Sequence, residues 1–221
     1  MKRLISLALI FAACASGPAR KPNDKEWTQL MADHQWIQTL RDAQKSAPAT
    51  ATRKQRIEVT LENYRKIEPT YLAFMDKLRE YHARTGDRRA VPILAKEKIM
   101  IGDQYMDLLS RYDSAIESYR GALQVDPSSE EARRRIAIAE NRRYVSMNAF
   151  AAVKGGMRED EVQRLIGLPR EDWVKQVIQN GRVYSVWIYP KADGGASAIY
   201  FDNGVVYHTN WNAAAPQARA G

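Results

Sequence analysis

Cysteine is nearly absent from this sequence, and the single one, Cys14, stands close to its start. A disulfide within the chain is therefore excluded, as is a metal site built from several thiolates. Histidine is almost as scarce. His34, His82 and His208 are the three present, and none has the Cys, Asp or Glu spacing of a zinc site or an activated nucleophile. Gly194-Gly195 follows Asp193 without the strand-to-helix context of a phosphate loop. Asp202-Asn203-Gly204 lacks the alternating oxygen ligands of a calcium loop and reads as a turn. The Leu4 to Ala13 apolar run is too short to span a bilayer as a stable helix. No metal, no cofactor and no catalysis are expected; a cell-wall hydrolase would need a cleft with paired carboxylates and is the outlying reading.

What is present is an ordinary packed composition, 45% hydrophobic, under a formal net charge of +8. Both signs are mixed through most of the chain, so the excess reads as a solvated helical surface, with anionic lipid or an acidic partner as the minority reading. Nucleic acid is not expected. From Val153 onward the signs nearly balance.

Residues 1–14 have a basic start (Lys2, Arg3), the apolar run, and small residues leading to Cys14, which is the pattern of a secretory signal. The ending at Ala12-Ala13-Cys14 resembles the lipobox of bacterial lipoproteins, with Phe11 in place of the usual Leu. That resemblance implies acylation of Cys14, palmitate included, and a durable membrane anchor; ordinary cleavage nearby, with Cys14 incidental, is the alternative. In lipoproteins of Gram-negative bacteria, Ala15 rather than Asp after the cysteine implies outer-membrane sorting, facing the periplasm. Residues 15–23 read as a linker.

The spacing predicts helices across 24–150. Asn23 is suited to cap the first, and Trp27, Leu30, Met31, His34, Ile37 and Leu40 recur at helical spacing, with His34 as a core-edge residue. A second helix is expected to end at Glu68-Pro69 and to restart at Tyr71. Tyr71, Phe74, Met75, Leu78 and Tyr81 form an aromatic-rich face, read as packing, with a ligand-binding box as the alternative. A third runs through Leu94, Ile101, Tyr105 and Leu108. A later helix holds Arg133, Arg134 and Arg135, which with Arg142 and Arg143 make the most basic local segment; Glu130 is spaced to pair with Arg134 and Glu131 with Arg135.

Gly102, Tyr105, Ala115, Tyr119, Ala122 and Pro127 follow the order of a tetratricopeptide repeat, whose paired helices approach closely at the small residues. This stretch resembles that family; Lys98 stands where the repeat prefers Trp, and one extra residue lies between Leu108 and Tyr112. Neighbouring helices would supply the stacking that one repeat cannot do without.

Near Val153 the period changes to two. After a short helix from Met157 to Ile166, residues 173–179 and Val183 to Tyr189 flank Asn180-Gly181, a strong hairpin signal, and Ser197 to Phe201 and Val205 to Trp211 flank Asp202-Asn203-Gly204. The expectation is an α+β protein: a helical, repeat-like part at 24–150, a small domain at 151–212 with an antiparallel sheet of about four strands, and a disordered tail at 213–221. Gly156, Met157, Val162, Gly167, Pro169, Trp187, Tyr189 and Phe201 resemble the SmpA/OmlA family, which includes the BamE-type lipoprotein of outer-membrane barrel assembly. The motif is a folding signature: Gly156 and Gly167 bound the helix, and Met157, Val162 and Leu165 would pack beneath Trp187 and Tyr189. The resemblance implies a non-enzymatic role in envelope assembly, with envelope proteins, outer-membrane assembly components among them, as partners. A pilotin-like helper of a secretion or pilus system is the nearest alternative. A lipid- or glycan-binding module is the other, and it would need Trp173, Trp187 or Trp211 exposed. The oligomeric state is left open.

Overall fold

The computed structural model describes residues 22–48 and 50–216. Cys14 with its apolar run, most of the linker, and 217–221 of the expected tail lie outside the described residues. The protein is α+β, as the change of period predicts.

Five helices follow one another: α1 (Asp24–Asp42), α2 (Arg53–Thr85), α3 (Ala90–Asp107), α4 (Tyr112–Val125) and α5 (Glu130–Arg142). Each packs on the next as far as α5. Asn23 caps α1 by accepting from the Lys25 and Glu26 amides. A capping box between Thr52 and Gln55 opens α2, and Gly86 closes it at a φ of 67°. One apolar core joins α1, α2 and the start of α3 around Ile37, Phe74, Leu78 and Tyr81; a second joins α3, α4 and α5 around Ala115, Tyr119 and Ala139.

Pro69 does not end a helix: α2 runs through it unbroken for 33 residues. The proline removes one amide and crowds the carbonyl of Arg65. Both residues lie on the exposed side, where that carbonyl is open to solvent. The buried stripe Ile67, Tyr71, Phe74, Leu78 and Tyr81 continues past the proline and holds the helix together. Two further expectations are corrected. Ile101 is exposed, and the buried face of α3 runs through Ile99, Gly102 and Met106 instead. Glu130 pairs with Arg133 rather than Arg134; Glu131 does pair with Arg135, at 4.0 Å, although Arg135 lies closer to Asp103, at 3.1 Å.

The short helices α6 (Met147–Ala151) and α7 (Glu159–Ile166) precede a 3-10 turn (Glu171–Trp173) and four strands, β1 (Val174–Gln179), β2 (Arg182–Pro190), β3 (Ala196–Asp202) and β4 (Val205–Ala213). Trp173 thus belongs to the turn, not to a strand, and β4 reaches one residue into the expected tail. The strands pair antiparallel in the order β1-β2-β3-β4. Asn180-Gly181 and Asn203-Gly204 sit at positive φ in the two hairpins, the conformation such two-residue turns demand. One face of the sheet, with Trp187, Tyr189, Ile199 and Phe201, closes over Val162 and Phe150. The opposite face buries only Ile188, Ala196 and Ala198 beneath half-buried neighbours.

Candidate docking cleft

Four of the repeat-like residues form one close contact. A Cβ on Gly102 would lie 2.3 Å from Cε1 of Tyr119, so the ring occupies the space that glycine leaves. Tyr119 is fully buried beside Ala115 and Ala122, and its hydroxyl donates to Asp103 at 2.7 Å. Tyr105 is half-buried at the edge of the same core, and Pro127 follows α4 in the turn to α5. Lys98 lays its stem over Gly121; burial lowers its pKa, with Arg79 adding to the effect.

In the C-terminal part, Gly156 at φ 87° donates to the Val206 carbonyl at 2.8 Å and turns the chain toward α7. Gly167 at φ 78° ends α7. Val162, Pro169 and Phe201 are buried with Trp187 and Tyr189, and Met157 packs at their edge. Leu165 departs from the expectation: it is 48% exposed, and Ile166 packs inward in its place. The helix presents its 162/166 side to the sheet, which turns 165 away.

The two parts are joined by hydrogen bonds that no local pattern announces. From the first turn of α2, Arg53 donates to the carbonyls of Leu108 (2.8 Å) and Pro169 (2.7 Å) and to the Ser110 hydroxyl (3.1 Å). Burial lowers its pKa, with nearby Glu171 opposing. The Glu171 amide donates to the Leu109 carbonyl (3.1 Å), and the Val145 amide to the Pro190 carbonyl (3.1 Å). Tyr189 donates to the Gly167 carbonyl at 2.9 Å; burial pushes its pKa well above 10, and Tyr112 adds to that.

Above this seam the surfaces diverge into a cleft of about 730 Å³. One wall is the α3–α4 turn and the end of α5; the other is the end of α7 with residues 167–173. Arg142, Arg143, Arg164 and Arg170 line it against the carboxylates of Asp107 and Asp113. Arg143 pairs with Asp113 at 2.6 Å, Arg164 with Asp160 at 2.9 Å, and Arg170 with Asp172 at 2.8 Å while covering Trp173. Burial would raise the Asp172 pKa, but Arg170, with Arg111 and a backbone hydrogen bond adding to it, lowers it below the usual carboxylate value. Among the described residues Arg142 has no carboxylate partner. Tyr144 and Leu165, 37% and 48% exposed, give the mouth an apolar component. Guanidinium groups beside apolar rims suit a segment that carries both acidic and apolar side chains.

The tryptophans considered for ligand stacking are engaged by the protein. Trp187 is buried against Phe201, Trp211 packs on Phe150 beneath Lys191, and Trp173 is half-buried under Arg170. Among the histidines, His34 stacks on Phe74 at 5.3 Å between centroids, beside a buried pair in which Arg41 holds Glu97 at 2.9 and 2.7 Å. His82 faces the Asp87 carbonyl at 3.0 Å; His208 lies on the open sheet face beside Tyr200. Among the described residues no three of His, Cys, Asp and Glu converge as a metal site, and no helix is long and apolar enough to cross a membrane. Sequence reasoning missed Arg53 and Glu97 because charged residues normally read as surface; Arg142 stood out only as part of a basic stretch. No family model, curated protein or solved structure matches this chain.

Proposed function

We propose that this protein is a non-enzymatic adaptor, anchored in the outer membrane through lipid on Cys14 and facing the periplasm, that docks an envelope protein in the cleft between its helical part and its sheet domain. The cleft is the observation that carries the reading: arginines from both walls converge with exposed Tyr144 and Leu165 on a surface suited to an acidic and apolar protein segment. Its shape depends on the seam through Arg53, so both parts of the chain are needed to form one site. The repeat-like and SmpA/OmlA-like readings belong to this proposal, supported by the Gly102–Tyr119 contact and by the placement of Gly156 and Gly167. Stacking of a glycan or lipid headgroup on Trp187 loses its support, because that ring is buried.

The test is chemical crosslinking of the tagged, lipidated protein in intact cells, followed by fractionation and identification of the chains bound to it. The expected result is recovery from the outer-membrane fraction with a defined envelope protein, lost on deletion of 153–211. Recovery of secretin or pilus proteins through the helical part alone would replace the assembly role with the pilotin-like one. Recovery with no protein at all would refute docking.

A further inference from the structure

The two edges of the sheet are treated differently. Beside β4, the chain from Gly156 to Glu159 covers the first residues: the Gly156 amide donates to Val206, the Val206 amide to Met157 (both 2.8 Å), and the Glu159 amide to Gly204 (3.1 Å). Beside β1, among the described residues, nothing pairs on the outer side. All six of its side chains are exposed, Val177 at 61% and Ile178 at 73%. Its register with β2 is unbroken from Val174↔Trp187 to Gln179↔Arg182, so no bulge bends it away. It has no proline, and Lys175 is its one charge. Exposed edges normally carry several such devices against pairing with another chain.

We infer that β1 is the interface for a second copy of this chain, joined antiparallel, β1 to β1, into one eight-stranded sheet. The strand is complementary to itself about Gln176. A twofold axis through that residue, normal to the sheet, sets Gln176 opposite Gln176 of the partner subunit. Lys175 then faces Val177 of the partner subunit, and Val174 faces Ile178 of the partner subunit. Residues facing each other across strands share a side of the sheet. Val174, Gln176 and Ile178 lie on the Trp187 side, so this register keeps α7 of both copies on that side and gives two apolar Val–Ile pairs. No two like charges come opposite each other. The region from Val153 onward is nearly neutral, so little like charge is brought together at this edge. Edge strands satisfy their outward amides and carbonyls in such pairing, and a twofold interface closes after two copies.

Sedimentation velocity of the full chain in mild detergent, across a range of concentrations, tests this with Gln176→Lys and Gln176→Glu. Position 176 is exposed in the monomer, so neither change disturbs the fold. The wild type is expected to dimerise reversibly, and each variant alone to self-associate roughly fivefold or more weakly, since like charges would meet on the axis. Mixing the two variants should restore a heterodimer, a result that unfolding cannot imitate. A wild type that stays monomeric at the highest concentration overturns the inference. So does a dimer indifferent to both charges, or a mixture no tighter than the variants apart.

Discussion

At the scale of single residues, the fold is most exacting where a missing side chain is replaced by a neighbour. Gly102 is such a place. Tyr119 cannot swing clear of an added methyl, because its hydroxyl is fixed on Asp103 and its ring is fully buried. Gly102→Ala should therefore cost about 1–3 kcal/mol by overpacking, read as a lower denaturant midpoint with an unchanged slope. His34 gives a prediction about pH. Burial lowers its pKa below the ordinary 6.5, with Arg41 and Lys96 acting the same way and Glu97 opposing. A histidine with a depressed pKa resists protonation in the native state while the unfolded chain accepts it. Its contribution is thus present above pH 6.5 and is lost as pH falls toward the folded value. Unfolding free energies at pH 7.5 and 5.5 should differ more for the wild type than for His34→Gln, which has no such titration. Equal differences would remove His34 as the cause.

At the scale of elements, local chemistry was the legible part. Asn180-Gly181 and Asn203-Gly204 announce their hairpins because few residues accept positive φ, and Asn23 marks a helix start because its side chain serves free amides. Pro69 misled for a physical reason: its local penalty is real, but the stripe from Ile67 to Tyr81 continues through it, and long-range burial decides. Pro69→Ala restores the missing amide at an exposed position. Its thermal midpoint should rise, by an amount corresponding to as much as about 3 kcal/mol of helix propensity less what proline withholds from the unfolded chain. A fall would show that the proline is accommodated in a way this helix does not reveal. Leu165 was misplaced by a single helical position, the usual resolution of a periodicity argument over one short helix.

At the scale of the whole molecule, little was legible, because the cleft and its seam are made by segments far apart in sequence. Arg53 meets Pro169 across 116 residues, and no local pattern distinguishes it from the other exposed arginines of its stretch. Its half-buried position and its three hydrogen bonds predict a large effect. Arg53→Met leaves the Leu108 and Pro169 carbonyls short of a donor and should cost about 1–3 kcal/mol. It should also free the two parts, seen as an increased radius of gyration in small-angle scattering. A destabilised variant of unchanged dimensions would mean that the Glu171–Leu109 and Val145–Pro190 bonds hold the seam alone.

The central claim, that the cleft is where a protein partner sits, is tested most directly by placing a photo-crosslinking amino acid at Leu165 and at Tyr144 in living cells. Exposed Lys66, on α2 and outside the cleft lining, serves as the control. The account predicts one discrete protein adduct at both cleft positions and none at Lys66, with the adduct lost when Arg142→Glu and Arg164→Glu are combined. Adducts that ignore this charge reversal, or that appear at Lys66 and not at the cleft, would contradict it.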